Sequence, residues 1–203
     1  MPDSPIKPHI ILASSSPRRS ELLQQVRVTF EVLPVDIDET VLDGESPETY
    51  VERLALEKAR AGWELSRQES PVLGSDTVVV NEGRILGKPR DRQHAFDMLT
   101  GLSGKTHRVL TAVALVMGDK SSIRLSESRV SFGPVDEQDL QRYWESGEPA
   151  DKAGAYAVQG LAAAFITRLE GSYSGVMGLP LHETLELLRS FGLDVTMNWD
   201  SPQ

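Results

Sequence analysis

Apolar and polar positions along the chain form short segments that predict a mixture of strands and helices. The run "HIILAS" from His9 predicts a short buried strand, and "VTFEVLPVDI" from Val28 predicts a second one. A nearly continuous apolar strand in "PVLGSDTVVV" is followed by a turn at 81–83 and a short returning strand. Long strands are predicted in "THRVLTAVALVMG" and "SIRLSESRVSF" as a hairpin, and "AAAFITRLEGSYSGVMG" predicts a further hairpin.

The remaining segments carry the capping residues and the apolar spacing of helices. One helix opens at Pro17 behind Ser16, and a longer one opens at Pro47, where Ser46 is placed to cap its first turn. Three more helices are predicted in "DRQHAFDMLTGLSG", "DEQDLQRYWESG" and "LPLHETLELLRSFG". Because both βα and hairpin connections occur, the pattern predicts an α/β or mixed α+β fold on a mixed sheet.

The length of the chain predicts one domain that spans residues 1–203. A chain of this size buries about 70% of the surface that it exposes when unfolded, so a sizeable core is available. We expect that core within residues 9–192 and a loose tail over 193–203, where the sequence ends in "DVTMNWDSPQ".

Composition narrows the classes of function. The formal net charge of −9 argues against non-specific nucleic-acid binding, so no nucleic-acid polymer is expected as a partner. The absence of cysteine excludes disulfides, thiol catalysis and zinc–thiolate sites. The first residues hold too short an apolar run for a signal peptide, and no stretch reaches membrane-spanning length. We therefore expect a soluble cytoplasmic protein with no membrane partner.

Two groups of carboxylates interrupt this ordinary pattern. Asp76 lies inside a run that suits a strand buried on both faces, where an unpaired charge is costly. It either begins a local turn or faces a cleft as a base or metal ligand, and the valines after it favour the cleft. Asp36, Asp38 and Glu39 follow a strand and form either a solvated turn or oxygen ligands for Mg²⁺ or Mn²⁺.

Two lysines also stand in unusual positions. Lys58 continues the apolar stripe of its helix, so it either lies along the edge of the stripe with its charge in water or reaches into a pocket for an anion. Lys88 precedes a proline at a predicted strand end, and a plain surface lysine is the ordinary explanation there. Neither residue is strong evidence by itself.

The start of the first helix has the wrong charge for an empty helix end. Arg18 and Arg19 lie in the first turn, where the helix dipole favours acids, at a cost of a few tenths of a kcal/mol up to about one. The alternative to two solvated arginines is an anion site. There the helix N–H groups, the arginines and the small donors Ser14 to Ser16 would converge on phosphate.

Taken together, clustered cations, a buried carboxylate and a helix end suited to phosphate indicate phosphoanhydride chemistry. That chemistry needs cations for the phosphates, a metal ion to offset charge, and a base for water. Neither a P-loop nor a dinucleotide-binding glycine motif occurs, and no Gly-x-Ser-x-Gly elbow supports a serine hydrolase.

Several motifs, in this order, resemble those of the Maf family of nucleotide pyrophosphatases. They are "LASSSPRRSELL", "ALEKARAG", "VLGSDTVVV", "GKPRD", "DKAGAYAVQG" and "SYSGVMGLPL", which together cover nearly the whole chain. The resemblance implies a cytoplasmic protein, often dimeric, with a twisted mixed sheet flanked by helices and two lobes around a cleft. It also implies hydrolysis of nucleoside triphosphates between the α- and β-phosphates, with a divalent metal cation, Mg²⁺ or Mn²⁺.

The resemblance also assigns roles to particular residues. The catalytic base of the family corresponds to Asp76, and its acidic partner near the metal corresponds to Glu39. The phosphate-binding lysines correspond to Lys58 and Lys88, and the Ser-x-Ser-Pro-Arg-Arg loop corresponds to Ser14–Arg19, which includes Ser16.

The family has branches with different substrates. Arg18, Thr77 and Gln159 resemble the specificity positions of the branch that acts on dTTP and UTP. A branch acting on 7-methylguanosine triphosphate tends to carry a bulky aromatic residue beside the loop proline, which this chain lacks. The expected role is therefore cleansing of the nucleotide pool, with a link to arrest of cell division. Alternatives are a nucleotide-binding regulator of septum formation with little catalysis, a pyrophosphatase for 7-methylguanosine triphosphate, and an anion-binding structural protein.

Overall fold

The computed structural model describes residues 9–199, apart from the side chains of 197 and 198. Over these residues it contains one seven-stranded sheet and six α-helices. The strands are β1 His9–Leu12, β2 Thr29–Val32, β3 Val72–Asn81, β4 Arg84–Leu86, β5 Thr106–Met117, β6 Lys120–Phe132 and β7 Ile166–Glu170. The helices are α1 Pro17–Gln25, α2 Pro47–Leu65, α3 Arg92–Leu102, α4 Glu137–Glu145, α5 Tyr173–Met177 and α6 Leu181–Ser190.

The sheet has mixed strand directions, which confirms the predicted fold class. Its order is β2-β1-β3-β5-β6-β7, and β4 lies beside one end of β3. The short β1 runs parallel to β2 and to β3, and the other pairs are antiparallel. The predicted hairpin of β5 and β6 is present.

One edge of β3 is only partly paired, and this gap positions the site. On that edge β1 meets β3 at Val72 and Leu73 alone, and β4 meets it only from Val79 onward. On the opposite edge β5 pairs with β3 continuously from Val72 to Val80. In the described part of the chain, residues 74–78 therefore lack a strand partner on one side, and a cleft opens there.

The two faces of β3 pack against different parts of the core because side chains alternate along a strand. On one face, Leu73 joins the cluster beneath α1 and α6, and Val79 joins the cluster beneath α3 and α4. On the other face, Val78 and Val80 pack against α2. The gap at residues 74–78 thus lies between two core clusters on the first face and beneath α2 on the second.

Gly74 sets how closely α2 approaches the sheet. A Cβ atom at this position would overlap the Ala55 carbonyl oxygen and lie 2.6 Å from the Ala59 nitrogen, so only glycine fits here without a shift of backbone. Residue 76 shares this face of β3, and Lys58 lies on the helix opposite. The close contact therefore brings Lys58 within reach of Asp76.

Two predicted elements differ from the structure. The expected hairpin in "AAAFITRLEGSYSGVMG" is wrong, because β7 pairs antiparallel with β6 instead of with a neighbour in its own segment. The residues before β7 form a 3₁₀ helix, Leu161–Phe165, and those after it form α5, which Ser172 caps by accepting from the Gly175 N–H at 2.9 Å. The second predicted strand ends at Val32, shortly before Pro34, which has no N–H for a sheet ladder.

The expected loose tail is also wrong for residues 193–199. A short 3₁₀ helix covers Val195–Asn198, and Val195 is buried in the cluster beneath α1 and α6. The indole N–H of Trp199 donates to the Val26 carbonyl oxygen at 3.0 Å, so the chain is fastened back onto α1. The rest of the predicted tail, 200–203, lies outside the described residues.

Across the helices that the structure describes, none combines the length and the apolar character needed to cross a membrane.

Candidate active site

A cleft of about 650 Å³ opens at the gap beside β3. The residues to which the family resemblance assigns a role all line this cleft: Ser14, Ser16, Arg18, Arg19, Glu39, Lys58, Asp76, Thr77, Lys88 and Gln159. These residues come from loops, a helix and strands that are far apart in the sequence. The fold therefore brings the predicted residues together on one concave surface, while their individual roles stay predictions.

Lys58 lies between the two predicted acidic residues. Its Nζ donates to Asp76 Oδ1 at 2.6 Å and lies 2.6 Å from Glu39 Oε1. The Lys58 side chain is only 12% exposed, so its charge points into the cleft and not along the surface of α2. The two carboxylates thus converge on one cation inside the cleft.

The two carboxylates differ in their protonation chemistry. Burial raises the pKa of Asp76, although the charges of Lys58 and Arg19 act in the opposite direction. Burial also acts to raise the pKa of Glu39, but the hydrogen bond and charge of Lys58 outweigh it, so that pKa lies below its ordinary value. The raised pKa makes Asp76 the better proton acceptor of the two, while the lowered pKa favours the ionised form of Glu39.

A divalent cation fits this donor set when nucleotide phosphates complete it. In the part of the chain that the structure describes, no group of three or more His, Cys, Asp or Glu residues is arranged to hold a metal ion. Two carboxylate oxygens nevertheless meet at the Lys58 Nζ atom, one from Glu39 and one from Asp76. Mg²⁺ is often bound in this way, by one or two carboxylates together with substrate phosphates and water.

The start of α1 has the features of an anion site. Ser16 occupies the N-cap position without a side-chain capping bond, and the first turn contains no acidic residue. Arg19 is held in place: its Nε donates to the Gly178 carbonyl oxygen at 2.8 Å and its Nη1 donates to Ser14 Oγ at 3.1 Å. Since a guanidinium has five N–H donors, three remain for a ligand in the cleft. Arg18 lines the cleft beside it.

Hydroxyl groups join this end of the cleft to the sheet. The Gly178 carbonyl that accepts from Arg19 also accepts from Ser75 Oγ at 3.0 Å. Thr77 Oγ1 lies 3.0 Å from the hydroxyl of Thr111, its partner on β5, and that hydroxyl donates to the Gly175 carbonyl at 2.7 Å. Thr77 lies next to Asp76 on β3, and its hydroxyl is held by Thr111 of β5.

The loop that carries Glu39 is fixed by two residues of α2 that the sequence analysis did not identify. The Tyr50 hydroxyl donates to the Glu39 carbonyl oxygen at 2.8 Å. Arg53 forms a bidentate ion pair with Glu45, with its Nε and Nη2 2.7 Å and 2.8 Å from the two carboxylate oxygens. The available sequence signal is the position of Tyr50 and Arg53, one turn apart on the same side of the helix.

The other acidic residues of the loop "DIDET" do not join the carboxylate pair. Asp38 accepts from the Thr40 N–H at 2.9 Å, which makes it a turn residue, and Asp36 is exposed. The solvated-turn interpretation therefore holds for both of them, and Glu39 alone faces Lys58.

Gln159 and Lys88 also line the cleft. Lys88 follows β4 and is exposed, and its charge contributes to the lowered pKa of Glu39 after the larger effects of burial and Lys58. Gln159 is exposed in a turn between the 3₁₀ helices Ala153–Ala155 and Leu161–Phe165. Lys152, which the sequence analysis did not identify, is a further cation that lines the cleft.

Known proteins resemble the chain along nearly its whole length. The family model described as "Maf-like protein" matches residues 9–191. The "dTTP/UTP pyrophosphatase" of Alkalilimnicola ehrlichii is 52% identical over 198 residues, which cover 95% of this chain and 98% of that protein. The protein of the same name from Hahella chejuensis is 50% identical over 194 residues, which cover 95% of this chain and 96% of that protein.

Among solved structures, the Staphylococcus aureus Ham1 protein has 13% identity and a TM-score of 0.48, with 90% of this chain and 97% of that chain covered. Nothing about the site follows from so distant a likeness.

Proposed function

The chain belongs to the Maf family, as its sequence motifs indicate, and from that premise we propose that it is a dTTP/UTP pyrophosphatase. It hydrolyses the bond between the α- and β-phosphates and releases the nucleoside monophosphate and pyrophosphate. The relatives that carry this name cover the chain almost completely, and they support the substrate choice. The observation that carries the proposal is the convergence of all the predicted site residues on one cleft, around a buried carboxylate held by a lysine.

Asp76 acts as the general base. It accepts a proton from a water molecule, whose oxygen attacks the α-phosphorus as the bond to the bridging oxygen breaks. The electron pair of that bond leaves with pyrophosphate. Burial raises the pKa of Asp76, so its carboxylate binds the proton more firmly than an exposed aspartate would.

The cations of the cleft bind the triphosphate and offset the charge that develops on the leaving group. Arg18 and Arg19 reach it from the start of α1, where the helix N–H groups and the hydroxyls of Ser14 and Ser16 also face an anion. Lys58 and Lys88, which line the same cleft, add two further cations. We call this part of the cleft, with Asp76 and Glu39, the phosphate end.

Glu39 and Asp76 would hold the divalent cation, Mg²⁺ or Mn²⁺, together with the phosphates of the substrate. When bound, the cation neutralises phosphate charge and makes the α-phosphorus more electrophilic. Lys58 then neutralises the remaining carboxylate charge and contacts phosphate. In the free protein Lys58 is held by ion pairs to Glu39 and Asp76 at 2.6 Å. It would exchange part of these contacts for phosphate when the nucleotide binds.

Gln159 reads the base, with Thr77 and Arg18 as further specificity positions. An amide both donates and accepts hydrogen bonds, and the edge of uracil or thymine presents both kinds of group. Gln159 is exposed to the cleft on a turn well separated from Asp76 in the sequence. We call residues 156–162, which carry this glutamine, the base end.

The setting of the enzyme is part of the same proposal. A chain without cysteine suits a reducing compartment, so we place the protein in the cytoplasm. We expect a homodimer, as is common in the family, and light scattering of the purified protein measures its mass directly. A mass equal to one chain would contradict that expectation.

One nucleotide panel tests the activity. Purified protein with Mg²⁺ or Mn²⁺ is given dTTP, UTP, CTP, ATP, GTP and 7-methyl-GTP, and released pyrophosphate is measured. We expect turnover of dTTP and UTP above all others, and loss of turnover with EDTA. Preference for 7-methyl-GTP would assign the chain to another branch. Binding of nucleotide without pyrophosphate release would favour the regulator, and binding without preference would favour an anion-binding protein.

A further inference from the structure

A single carboxylate organises the turn that carries Gln159. Glu148 lies in a 3₁₀ helix, Glu148–Asp151, and its side chain reaches across to the start of the 3₁₀ helix Leu161–Phe165. The Leu161 N–H donates to Glu148 Oε2 at 2.9 Å, and the Ala162 N–H donates to Oε1 at 3.4 Å. Both N–H groups belong to the first turn of the helix that follows Gln159, so Glu148 acts as its cap from outside the segment.

Gly160, the neighbour of Gln159, packs directly against the same carboxylate. A Cβ atom at residue 160 would overlap the Glu148 carboxylate, so a larger residue there would displace the carboxylate from its present position. The Gly160 N–H donates to the Ala157 carbonyl at 3.1 Å, which closes the turn around Gln159. The carboxylate therefore contacts the turn directly after the residue assigned to base recognition.

Tyr143 of α4 links Glu148 to the other end of the turn. Its buried hydroxyl donates to Glu148 Oε1 at 2.8 Å and accepts from the Ala157 N–H at 3.3 Å. One network of hydrogen bonds thus runs from Ala157 through Tyr143 and Glu148 to Leu161, and Gln159 lies within the segment that it spans.

We propose that Glu148 is a positioning residue that fixes the Gln159 amide for recognition of the base, with Tyr143 as its support. The proposal rests on the proposed function, because it deepens the role given there to Gln159. Glu148 contacts neither the nucleotide nor the reacting atoms. It acts through the backbone on both sides of Gln159, and its removal should change which base is accepted without changing how the phosphate bond is broken.

Glu148→Gln is the most direct variant. A glutamine has one acceptor oxygen where glutamate has two, so it cannot accept from Leu161 and from Ala162 and Tyr143 at once. At least one backbone N–H beside Gln159 then loses its acceptor, and the turn loosens. Glu64→Gln, the same change at an exposed residue of α2, is the matched control.

The readout is the ratio of kcat/KM for UTP to kcat/KM for CTP, because these nucleotides differ only at the base edge. We expect this ratio to fall about tenfold in Glu148→Gln, equivalent to about 1.4 kcal/mol of lost discrimination. It should stay at the wild-type value in Glu64→Gln. A merely structural role would lower both kcat/KM values together and leave the ratio unchanged, which would overturn the proposal.

Two further variants keep the test decisive. Tyr143→Phe removes the hydroxyl but retains the ring, and we expect a similar fall in the ratio. It also answers the question if Glu148→Gln does not fold. In a Gln159→Ala background, Glu148→Gln should cause no further fall, since it acts through that amide. An additional fall in the double variant, or a wild-type ratio in Tyr143→Phe, would count against the proposal.

The outcomes also separate this proposal from the function on which it rests. A wild-type protein that releases no pyrophosphate from UTP or dTTP, or that does not prefer UTP to CTP, overturns both. A wild-type protein that prefers UTP, with variants that retain that preference, overturns the Glu148 proposal alone.

Discussion

The phosphate end and the base end of the cleft are built in different ways. Asp76 and Lys58 stand on a central strand and a long helix in close contact, and ion pairs at 2.6 Å join Lys58 to both Asp76 and Glu39. Gln159 stands on a turn between two 3₁₀ helices, and backbone N–H groups on either side of it donate to Tyr143 and Glu148. In the proposed function, this difference means that the general base and its lysine stand on a strand and a helix, while the glutamine that reads the base stands on a turn.

The largest expected effect is at the phosphate end and concerns Asp76→Asn. Without the base, kcat should fall by roughly 10²–10⁴-fold. Folding stability at pH 7 should not decrease, because burial raises the pKa of Asp76 and makes its ionised form unfavourable in the folded protein. Pyrophosphate release and urea unfolding measure the two quantities.

The control is Asp119→Asn, the same change at an exposed residue of the turn between β5 and β6. We expect wild-type kcat from it. If Asp76→Asn retained the wild-type kcat, Asp76 would not be the general base. The proposed reaction would then have no identified proton acceptor at the phosphate end.

The next effect is at the base end and concerns His107. Its Nε2 lies 2.8 Å from the hydroxyl of Tyr156, which lines the cleft, and burial lowers its pKa from 6.5 to about 4. Between those values the unfolded chain binds more protons than the folded one. The stability associated with a neutral His107 is therefore present above pH 6.5 and lost as the pH falls to about 4.

His107→Gln retains a hydrogen-bonding side chain beside Tyr156 but removes the titration. Wild-type protein should lose about 3 kcal/mol more unfolding free energy than this variant between pH 6.5 and pH 4, as measured by urea unfolding at both values. Equal losses in the two proteins would show that His107 is not held neutral. The pH dependence of stability assigned to His107 would then no longer distinguish the base end from the phosphate end.

The smallest effect is in the loop of the phosphate end and concerns Glu45. The hydrogen bond from Arg53 lowers the pKa of Glu45 from 4.5 to about 2. The stability from this pair is present above pH 4.5 and lost as the pH falls towards 2, a lower window than that of His107.

Glu45→Gln should flatten the thermal stability profile between pH 4.5 and pH 2, with a smaller change than His107→Gln causes in its own window. Melting temperatures across that range measure it, and Glu64→Gln is again the control. An unchanged profile would mean that the ion pair does not hold the Glu39 loop in solution.

Much of the phosphate end could be predicted from the sequence because it stands on periodic elements. Lys58 continues the apolar stripe of α2, and Asp76 interrupts a run of buried strand residues, so helix and strand periodicity bring the two face to face. The predicted cap residue Ser46 also marks its helix correctly, since its side chain accepts a hydrogen bond from the Thr49 N–H. The motif resemblance then placed the remaining residues at the same cleft.

The gap beside β3 could not be predicted, because it depends on where neighbouring strands end. Nothing in the residues 74–78 indicates that β1 stops at Leu12 or that β4 joins only from Val79. The wrong hairpin after residue 161 has a similar cause. Alternation in β7 indicates a strand, but it does not identify β6 as the partner.

The supports of the base end gave the weakest sequence signals. Glu148 and Tyr143 act on a turn that begins well after them in the chain, and neither interrupts a periodic pattern. The only local sign is Gly160 directly after Gln159, and its meaning depends on a carboxylate that comes from another segment.

Gly74 has a consequence for the whole site that goes beyond packing. Because its missing methyl group lets α2 rest directly on β3, it works as the spacer that sets the distance between the base and its cation. Lys58 and Asp76 cannot be adjusted one at a time, since a larger residue at 74 would lift the helix and the ammonium group with it. The absence of a Cβ atom at Gly74 therefore sets the distance between Lys58 and Asp76.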